Sequence, residues 1–186
     1  LTRLNRMLAW DGETGLLTCE PGVSLAEIID VFLPRGWFPA VTPGTKFVTV
    51  GGAIANDVHG KNHHRDGSFG QWVKAMTLLL PTGETIVCSQ EDNADVFWAT
   101  VGGVGLTGFI VQATLQLKPR ESEYIHVDYL RTKDMEQALA VMSETDRDYQ
   151  YTVAWIDCLA RGSQLGRSVL MRGNPALRAE VSGRGR

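Results

Sequence analysis

The chain has 186 residues, of which 44% are hydrophobic and 21% are charged, and its formal net charge is −3 at pH 7. This composition indicates a globular protein with one good core, or with one domain and part of a second. The small net charge and the lack of a basic block argue against nucleic acid or an anionic membrane as the main partner. No apolar run approaches the ~18 residues of a membrane span, so no transmembrane segment is expected.

The three cysteines, Cys19, Cys88 and Cys158, are widely spaced and form no CxxC pair. An odd number at such spacing favours reduced thiols in a core over a disulfide framework. The chain begins at Leu1 without a signal peptide, so we expect it to be a fragment of a longer protein. Its localisation, cytoplasmic or peripheral at the cell envelope, is left open.

The first elements in chain order are a strand, a helix and a second strand. Residues 16–19 predict a strand. Ser24 and Glu27 have the spacing of a capping box, which predicts a helix from this point to about residue 33. Residues 37–41 then predict a short strand.

Residues 42–70, TPGTKFVTVGGAIANDVHGKNHHRDGSFG, form the most informative segment, with six glycines and three histidines in 29 residues. Glycine lets backbone amides approach a ligand closely. The residues after Gly51 and Gly52 look like a helix start, whose free N–H groups would point at an anion such as phosphate. The segment therefore predicts a ligand-binding loop.

A β-hairpin follows the glycine-rich segment. Residues 72–80 and 85–88 are apolar strands, and Pro81-Thr82-Gly83-Glu84 between them is a turn sequence.

A second glycine cluster, GGVGLTG at residues 102–108, lies between a predicted capped helix at 92–100 and a predicted strand at 109–117. This order is the reverse of a Rossmann fingerprint, so a Rossmann site is rejected. Taken alone, the cluster is more typical of a tight loop than of a ligand contact. The two glycine-rich segments together hold ten of the twenty glycines, which suggests two walls of one site.

After Pro119 the pattern becomes βαβ-like, which indicates the start of a second domain. The predicted elements are a strand at 124–130, a helix at 132–144, a strand at 151–157 and a strand at 167–171. We therefore expect domains at residues 1–119 and 120–172, followed by a disordered tail at 173–186.

Several polar and aromatic residues allow more than one interpretation. His59, His63 and His64 could bind a metal, but Gly60 separates them and few other ligands stand at suitable spacing, so hydrogen bonding to a cofactor or substrate, or simple packing, is favoured. Lys61 is either a solvated surface residue or faces a charged ligand. Trp155 is by default a core aromatic on a strand. No Gly-x-Ser-x-Gly motif supports a hydrolase triad.

Two strings, TVGGAIANDVHGKNHH with the following GSFG, and FWATVGGVGLTGFI, carry a family likeness. They resemble the PCMH-type FAD-binding domain of the vanillyl-alcohol-oxidase-type flavoproteins, in particular the bacterial oxidases of decaprenylphosphoryl ribose. The likeness covers the chain through residue 171. It implies an α+β fold, with a mainly antiparallel sheet and flanking helices in the FAD-binding subdomain, followed by the start of an α+β substrate domain.

The resemblance also implies which residues surround the FAD. The backbone of Gly44 and of residues 49–52 would lie against the pyrophosphate and flavin, and a second group would line the adenine or ribose. The residues assigned to the cofactor are Gly44, Val48, Thr49, Gly51, Gly52, Asn56, His59, Gly105, Gly108 and Ile110. The candidates for the substrate pocket are His59, Lys61 and Trp155.

The implied reaction is hydride removal from the C2' hydroxyl of a polyprenyl-phosphate-linked ribose in cell-wall arabinan synthesis, and a partner reductase is possible. An earlier glycine-rich loop and a late Tyr and Lys of the family have no counterpart here. We therefore expect the first subdomain and the catalytic base to lie outside this chain, and any FAD affinity to be weak. The alternative is a truncated, non-catalytic domain that folds and binds a partner.

Overall fold

A computed structural model describes residues 3–181 of the chain. The chain divides into two compact units, of which the first ends at Arg120 and the second begins at Glu121. The sequence predicted a domain boundary at residue 119.

The first unit contains one antiparallel sheet with the strand order β1-β2-β6-β4-β5, and β3 pairs with the end of β6. Its strands are β1 Met7–Asp11, β2 Leu16–Cys19, β3 Trp37–Pro39, β4 Val73–Leu79, β5 Thr85–Ser89 and β6 Phe109–Pro119. The predicted β4–β5 hairpin is confirmed, and Gly83 occupies its turn with φ +88°. The central strand β6 has 11 residues and pairs with β2, β3 and β4, so it is the strand with the most partners in the first unit.

Four helices pack around this sheet: α1 Leu25–Phe32, α2 Val50–Ala55, α3 His63–Asp66 and α4 Ala94–Thr100. The predicted capping box is confirmed, because Ser24 Oγ accepts from the Glu27 amide and the Glu27 carboxylate accepts from the Ser24 amide. The Ser24 backbone N–H and then its hydroxyl lower the pKa of Glu27. Buried apolar side chains of α1, α2 and α4 share one core with those of the strands.

Three local predictions in this unit were incomplete or wrong. Strand β1 was not predicted, and α3 lies where a loop was expected. The helix at 92–100 begins at Ala94 without a side-chain cap. Asn93 precedes it in the left-handed region, and its amide nitrogen donates to the Val87 carbonyl instead of capping the helix.

The second unit is a three-stranded antiparallel sheet with one main helix. Its elements are β7 Ile125–Thr132, α5 Met135–Thr145, β8 Tyr151–Ile156, β9 Ser168–Pro175 and the short helix α6 Arg178–Val181. Strand β9 lies between β7 and β8 and is antiparallel to both, so β7 and β8 run in the same direction. This split βαβ arrangement agrees with the βαβ-like pattern of the sequence.

The predicted disordered tail at 173–186 is wrong over its first part. Strand β9 continues to Pro175, because Gly173, Asn174 and Pro175 stay in register with residues 125–127 of β7. Helix α6 follows, and residues 182–186 lie outside the described part of the chain. Among the helices of residues 3–181, none combines the length and the apolar character needed to cross a membrane.

Candidate cofactor-binding site

The glycine-rich segment enters the fold alongside residues 21–26. Thr49 and Ser24 form an antiparallel bridge, and the amides of Leu25 and Ala26 donate to the carbonyls of Val48 and Lys46. Residues 46–50 are thereby fixed against the start of α1.

This arrangement contradicts the expectation of free N–H groups at the start of α2. The Val50 amide donates to the Val23 carbonyl and the Gly51 amide to the Pro21 carbonyl, each at 2.8 Å. The Gly52 amide donates to Thr49 Oγ1 at 3.2 Å. The expected amide contact of Gly51 and Gly52 with a phosphate is therefore wrong, because these donors already have protein acceptors.

The glycine at position 51 has a packing role instead. A Cβ at this position would lie 2.8 Å from Pro21 Cβ and 3.2 Å from the Pro21 carbonyl oxygen. Any part of Gly51 or Gly52 in cofactor binding, which stays a prediction, would have to use their Cα and carbonyl surface.

A close backbone approach brings the HGKNHH string to the start of the glycine-rich segment. A Cβ on Gly60 would lie only 2.5 Å from the Thr42 carbonyl oxygen, so only glycine fits there without displacing the backbone. His59 and Lys61 flank this contact, and both side chains are exposed. The structure thus places two predicted pocket residues beside the exposed loop 43–47.

Three polar residues that the sequence did not single out lie behind this turn. Asn62 and Asp66 are 1% and 9% exposed, and Lys118 comes from β6. Asn62 Nδ2 lies 2.6 Å from Asp66 Oδ2, and Lys118 Nζ lies 2.7 Å from Asp66 Oδ1. Since Lys118 is 52 residues from Asp66, local sequence patterns gave no signal for this cluster.

The second glycine-rich segment lies at the other end of α2. The amides of Gly102 and Val104 donate to the carbonyls of Ile54 and Ala55 at 3.0 and 2.9 Å. The second segment is therefore hydrogen-bonded to the end of a six-residue helix that belongs to the first segment. That the two segments form two walls of one site stays a prediction.

The tip of the second segment holds a strained residue. Val104 has φ +53°, which is unusual for a β-branched residue, and its side chain is 71% exposed. Gly103 permits this conformation, because a Cβ there would lie 2.1 Å from the Ala99 carbonyl oxygen. Strain of this kind is concentrated at ligand-binding loops.

Two glycines in these segments face open space. A Cβ on Gly44 or Gly105 would meet no other atom within 4 Å. Within residues 3–181, the amides of Gly44, Thr45 and Gly105 donate to no protein acceptor. Each of these exposed amides can donate a hydrogen bond to an anionic ligand, and they are called the cofactor surface below.

The remaining predicted residues differ in how accessible they are. Val48 and Thr49 are half-buried, and Asn56 is exposed but uses its amide nitrogen to bond the Gly52 carbonyl. Ile110 lies opposite Leu78 with its side chain in the core.

For two further predicted residues, Gly108 and Trp155, the structure shows the local packing and the exposure but no ligand contact. A Cβ on Gly108 would lie 2.9 Å from the Leu79 carbonyl oxygen, which accounts for the glycine. Trp155 lies on β8 of the second unit and is 73% exposed, so its default assignment to a core was wrong. Its predicted contact with substrate stays a prediction.

The histidines do not form a metal site. The rings of His59 and His63 have centroids 5.3 Å apart in an edge-to-face arrangement. In the part of the chain that the structure describes, no three His, Cys, Asp or Glu residues are grouped so that they could hold a metal ion.

Comparison with known proteins identifies the class. A family model described as an FAD binding domain matches residues 1–89. Together with the antiparallel sheet and flanking helices, this match shows an FAD-binding domain in the first unit. FAD is the cofactor of this domain.

Curated relatives are similar over most of the chain. It is 42% identical over 175 residues, 93% of this chain and 38% of the relative, to decaprenylphosphoryl-beta-D-ribose oxidase of Mycolicibacterium smegmatis. It is 38% identical over 154 residues, 83% of this chain and 41% of the relative, to an uncharacterized protein of Streptomyces coelicolor. It is 28% identical over 149 residues, 77% of this chain and 31% of the relative, to a D-lactate dehydrogenase of Anaerostipes hadrus. The chain therefore spans about two fifths or less of the length of these relatives.

The residues present fit this cofactor. Gly44 and Gly105 offer exposed backbone where a Cβ would meet nothing, which leaves room for a ligand close to the main chain. The amides of Gly44, Thr45 and Gly105, which donate to no protein acceptor among residues 3–181, suit the diphosphate oxygens of FAD. Lys61 adds positive charge on an exposed side chain of the same segment, which also favours an anion, whereas the Lys46 ammonium lies 3.7 Å from Asp30 Oδ1.

Proposed function

We propose that this chain binds FAD through its first unit and serves the oxidation of a sugar hydroxyl, namely the C2' hydroxyl of a polyprenyl-phosphate-linked ribose. The identity of 42% to a decaprenylphosphoryl-beta-D-ribose oxidase over 93% of the chain supports this substrate class. When bound, FAD supplies the acceptor for the hydride removed from the sugar carbon. The resemblance makes a partner reductase part of the same proposal.

The observation that carries the proposal is the contact between Gly60 and Thr42. It holds His59 and Lys61 beside loop 43–47, where Gly44 exposes its backbone. Two side chains that can bind a sugar are thus held next to the surface that suits the cofactor.

His59 and Lys61 have different parts in this proposal. The Lys61 ammonium donates hydrogen bonds and positive charge to an anionic group of the substrate. The His59 imidazole can donate to or accept from a sugar hydroxyl, because its two ring nitrogens differ in protonation when it is neutral. Together they orient the sugar, and correct orientation contributes a large part of the rate in such reactions.

The first test is titration of the purified chain with FAD, followed by flavin fluorescence. Saturable binding of low affinity is expected, because the chain spans only part of the length of its relatives. FAD is expected to bind more tightly than riboflavin, which lacks the diphosphate. No saturable binding would contradict the proposal and would favour a non-catalytic domain.

The second test measures how tightly the FAD-loaded chain binds a short-chain polyprenyl-phosphoryl ribose, followed by the change in flavin fluorescence. Lys61→Met should weaken this binding roughly ten- to a hundredfold, since one charge-assisted hydrogen bond contributes on the order of 1.5–3 kcal/mol. Lys74→Met, at an exposed lysine on β4, is the matched control and should have no effect. Equal dissociation constants for the two variants would contradict the role of Lys61.

A further inference from the structure

A buried polar cluster lies directly behind the turn that carries His59 and Lys61. It consists of the Asn62 amide, the Asp66 carboxylate and the Lys118 ammonium, and it is called the Asn62 cluster below. Buried polar groups cost free energy unless they are paired, so an interior cluster at a loop needs an explanation. None of its three side chains belongs to the exposed surface assigned to the cofactor.

Asn62 connects the turn to two other parts of the fold. Its Nδ2 donates to the Ala40 carbonyl at 2.8 Å and to Asp66 Oδ2 at 2.6 Å. Ala40 lies just before loop 43–47, so this amide ties the turn to the start of that loop. A Cβ on Gly60 would lie 2.7 Å from Asn62 Oδ1, which shows how closely the turn is packed on the amide.

The charge of Asp66 determines which way the Asn62 amide faces. A carboxylate only accepts hydrogen bonds, and so does the Ala40 carbonyl, so both require the amide nitrogen rather than its oxygen. Asn62 Oδ1 is buried and has no hydrogen-bond donor among residues 3–181. The orientation therefore depends on the two acceptors, of which the charged one binds more strongly.

Lys118 ties this charge to the central strand. Its ammonium lies 2.7 Å from Asp66 Oδ1 and 5.2 Å from the centre of the Trp72 ring. Trp72 Nε1 donates to the Asp66 carbonyl at 2.8 Å, which fixes the Asp66 backbone as well. The turn is thereby tied to β6, the strand with the most partners in the first unit.

We propose that Asn62 and Asp66 are positioning residues that hold the 59–61 turn against loop 43–47, and so set where His59 and Lys61 meet cofactor and sugar. This inference rests on the proposed function for what the turn contacts. Neither residue touches the ligand, and Asp66 acts through Asn62.

The test uses three single variants of the full chain. Asn62→Asp replaces the donor with an acceptor of the same size, and Asp66→Asn removes the charge while it keeps the shape. Asn93→Asp is the matched control, because it also removes an amide that donates to a backbone carbonyl at 2.8 Å, but at the start of α4. Hydrogen exchange is followed in the chain without FAD, and FAD affinity is measured separately.

We expect the amides of His63 and Phe69, which donate to the carbonyls of Gly60 and Val58, to exchange roughly tenfold faster in Asn62→Asp and in Asp66→Asn, while β4 and β6 keep their protection. FAD affinity should fall roughly tenfold in both variants and stay unchanged in Asn93→Asp. If Asn62→Asp does not fold, the inference is tested by the exchange and FAD affinity of Asp66→Asn alone.

Two results would overturn the inference. One is unchanged exchange of the His63 and Phe69 amides in the folded variants, and the other is an equal rise across β4 and β6, which would indicate a general structural role. Failure of the proposed function gives a different result, because the unaltered chain would then not bind FAD. The exchange data, which are measured without FAD, would still show whether Asn62 and Asp66 hold the turn in place.

Discussion

Replacement of Gly60 by alanine tests the backbone contact on which the site is built. The new Cβ would lie 2.5 Å from the Thr42 carbonyl oxygen, a backbone atom, and 2.7 Å from Oδ1 of the buried Asn62 side chain, which two hydrogen bonds hold in place. Forcing a methyl group into such a packed position costs about 1–3 kcal/mol. We expect a loss near 2 kcal/mol, which lowers the melting temperature of a chain of this size by roughly 4–8 °C.

The assay is urea unfolding of Gly60→Ala beside Gly44→Ala, followed by circular dichroism. Gly44→Ala is the matched control for stability, because its Cβ would meet no atom within 4 Å and its φ is not in the left-handed region. Its free energy of unfolding should change by less than about 0.5 kcal/mol or rise slightly. A midpoint for Gly60→Ala equal to that of Gly44→Ala would refute the close approach of Gly60 to Thr42.

Three further predictions concern other parts of the chain. Gly44→Ala should weaken FAD binding in the fluorescence titration although it leaves stability unchanged, and equal affinity would contradict the assignment of Gly44 to the cofactor surface. Iodoacetamide at about pH 8 should modify the exposed Cys158 and spare Cys19 and Cys88, because burial raises the pKa of both thiols, that of Cys19 to about 12 with a contribution from Glu20. Mass spectrometry should count one modified thiol in the folded chain and three in urea, and any other count in the folded chain would contradict this burial. Glu27→Ala should cost roughly 0.5–1 kcal/mol at neutral pH. Because the folded-state pKa of Glu27 is lowered, this difference should be complete above the unfolded pKa and vanish as the pH falls through the folded value, and a difference that persists in acid would contradict the capping box.

Local sequence signals predicted elements that depend on neighbouring residues. The capping box of α1 needs only Ser24 and Glu27, three residues apart, and both hydrogen bonds form as expected. The β4–β5 hairpin needs only two apolar runs and a turn sequence. Both predictions succeeded because the interactions that define them lie within a few residues of the chain.

Predictions that depended on distant contacts were less successful. A capped helix was predicted at 92–100, but the side-chain amide of Asn93 donates to the Val87 carbonyl in the preceding strand and does not cap the helix. The start of α2 looked like a free anion site, but residues 21–23 supply acceptors for its amides. The final residues of β9 looked disordered, but β7 extends alongside them.

The sequence predicted the glycine-rich segments of the site but not the buried polar residues that lie behind them. The second glycine-rich segment is hydrogen-bonded to the end of α2 in the first, while the prediction that they form two walls of one site stays a prediction. The partners of Asp66 could not be found in the same way, because Lys118 is brought to it only by the fold of β6.

The most direct measurement of the central claim is a hydrogen-exchange footprint of FAD on the full chain. We expect slower exchange in the FAD complex at Gly44, Thr45 and Gly105, whose exposed amides donate to no protein acceptor among residues 3–181. Amides at 50–52 should change little, since they already donate to protein acceptors. Protection confined to other parts of the chain, or none at saturating FAD, would contradict the account.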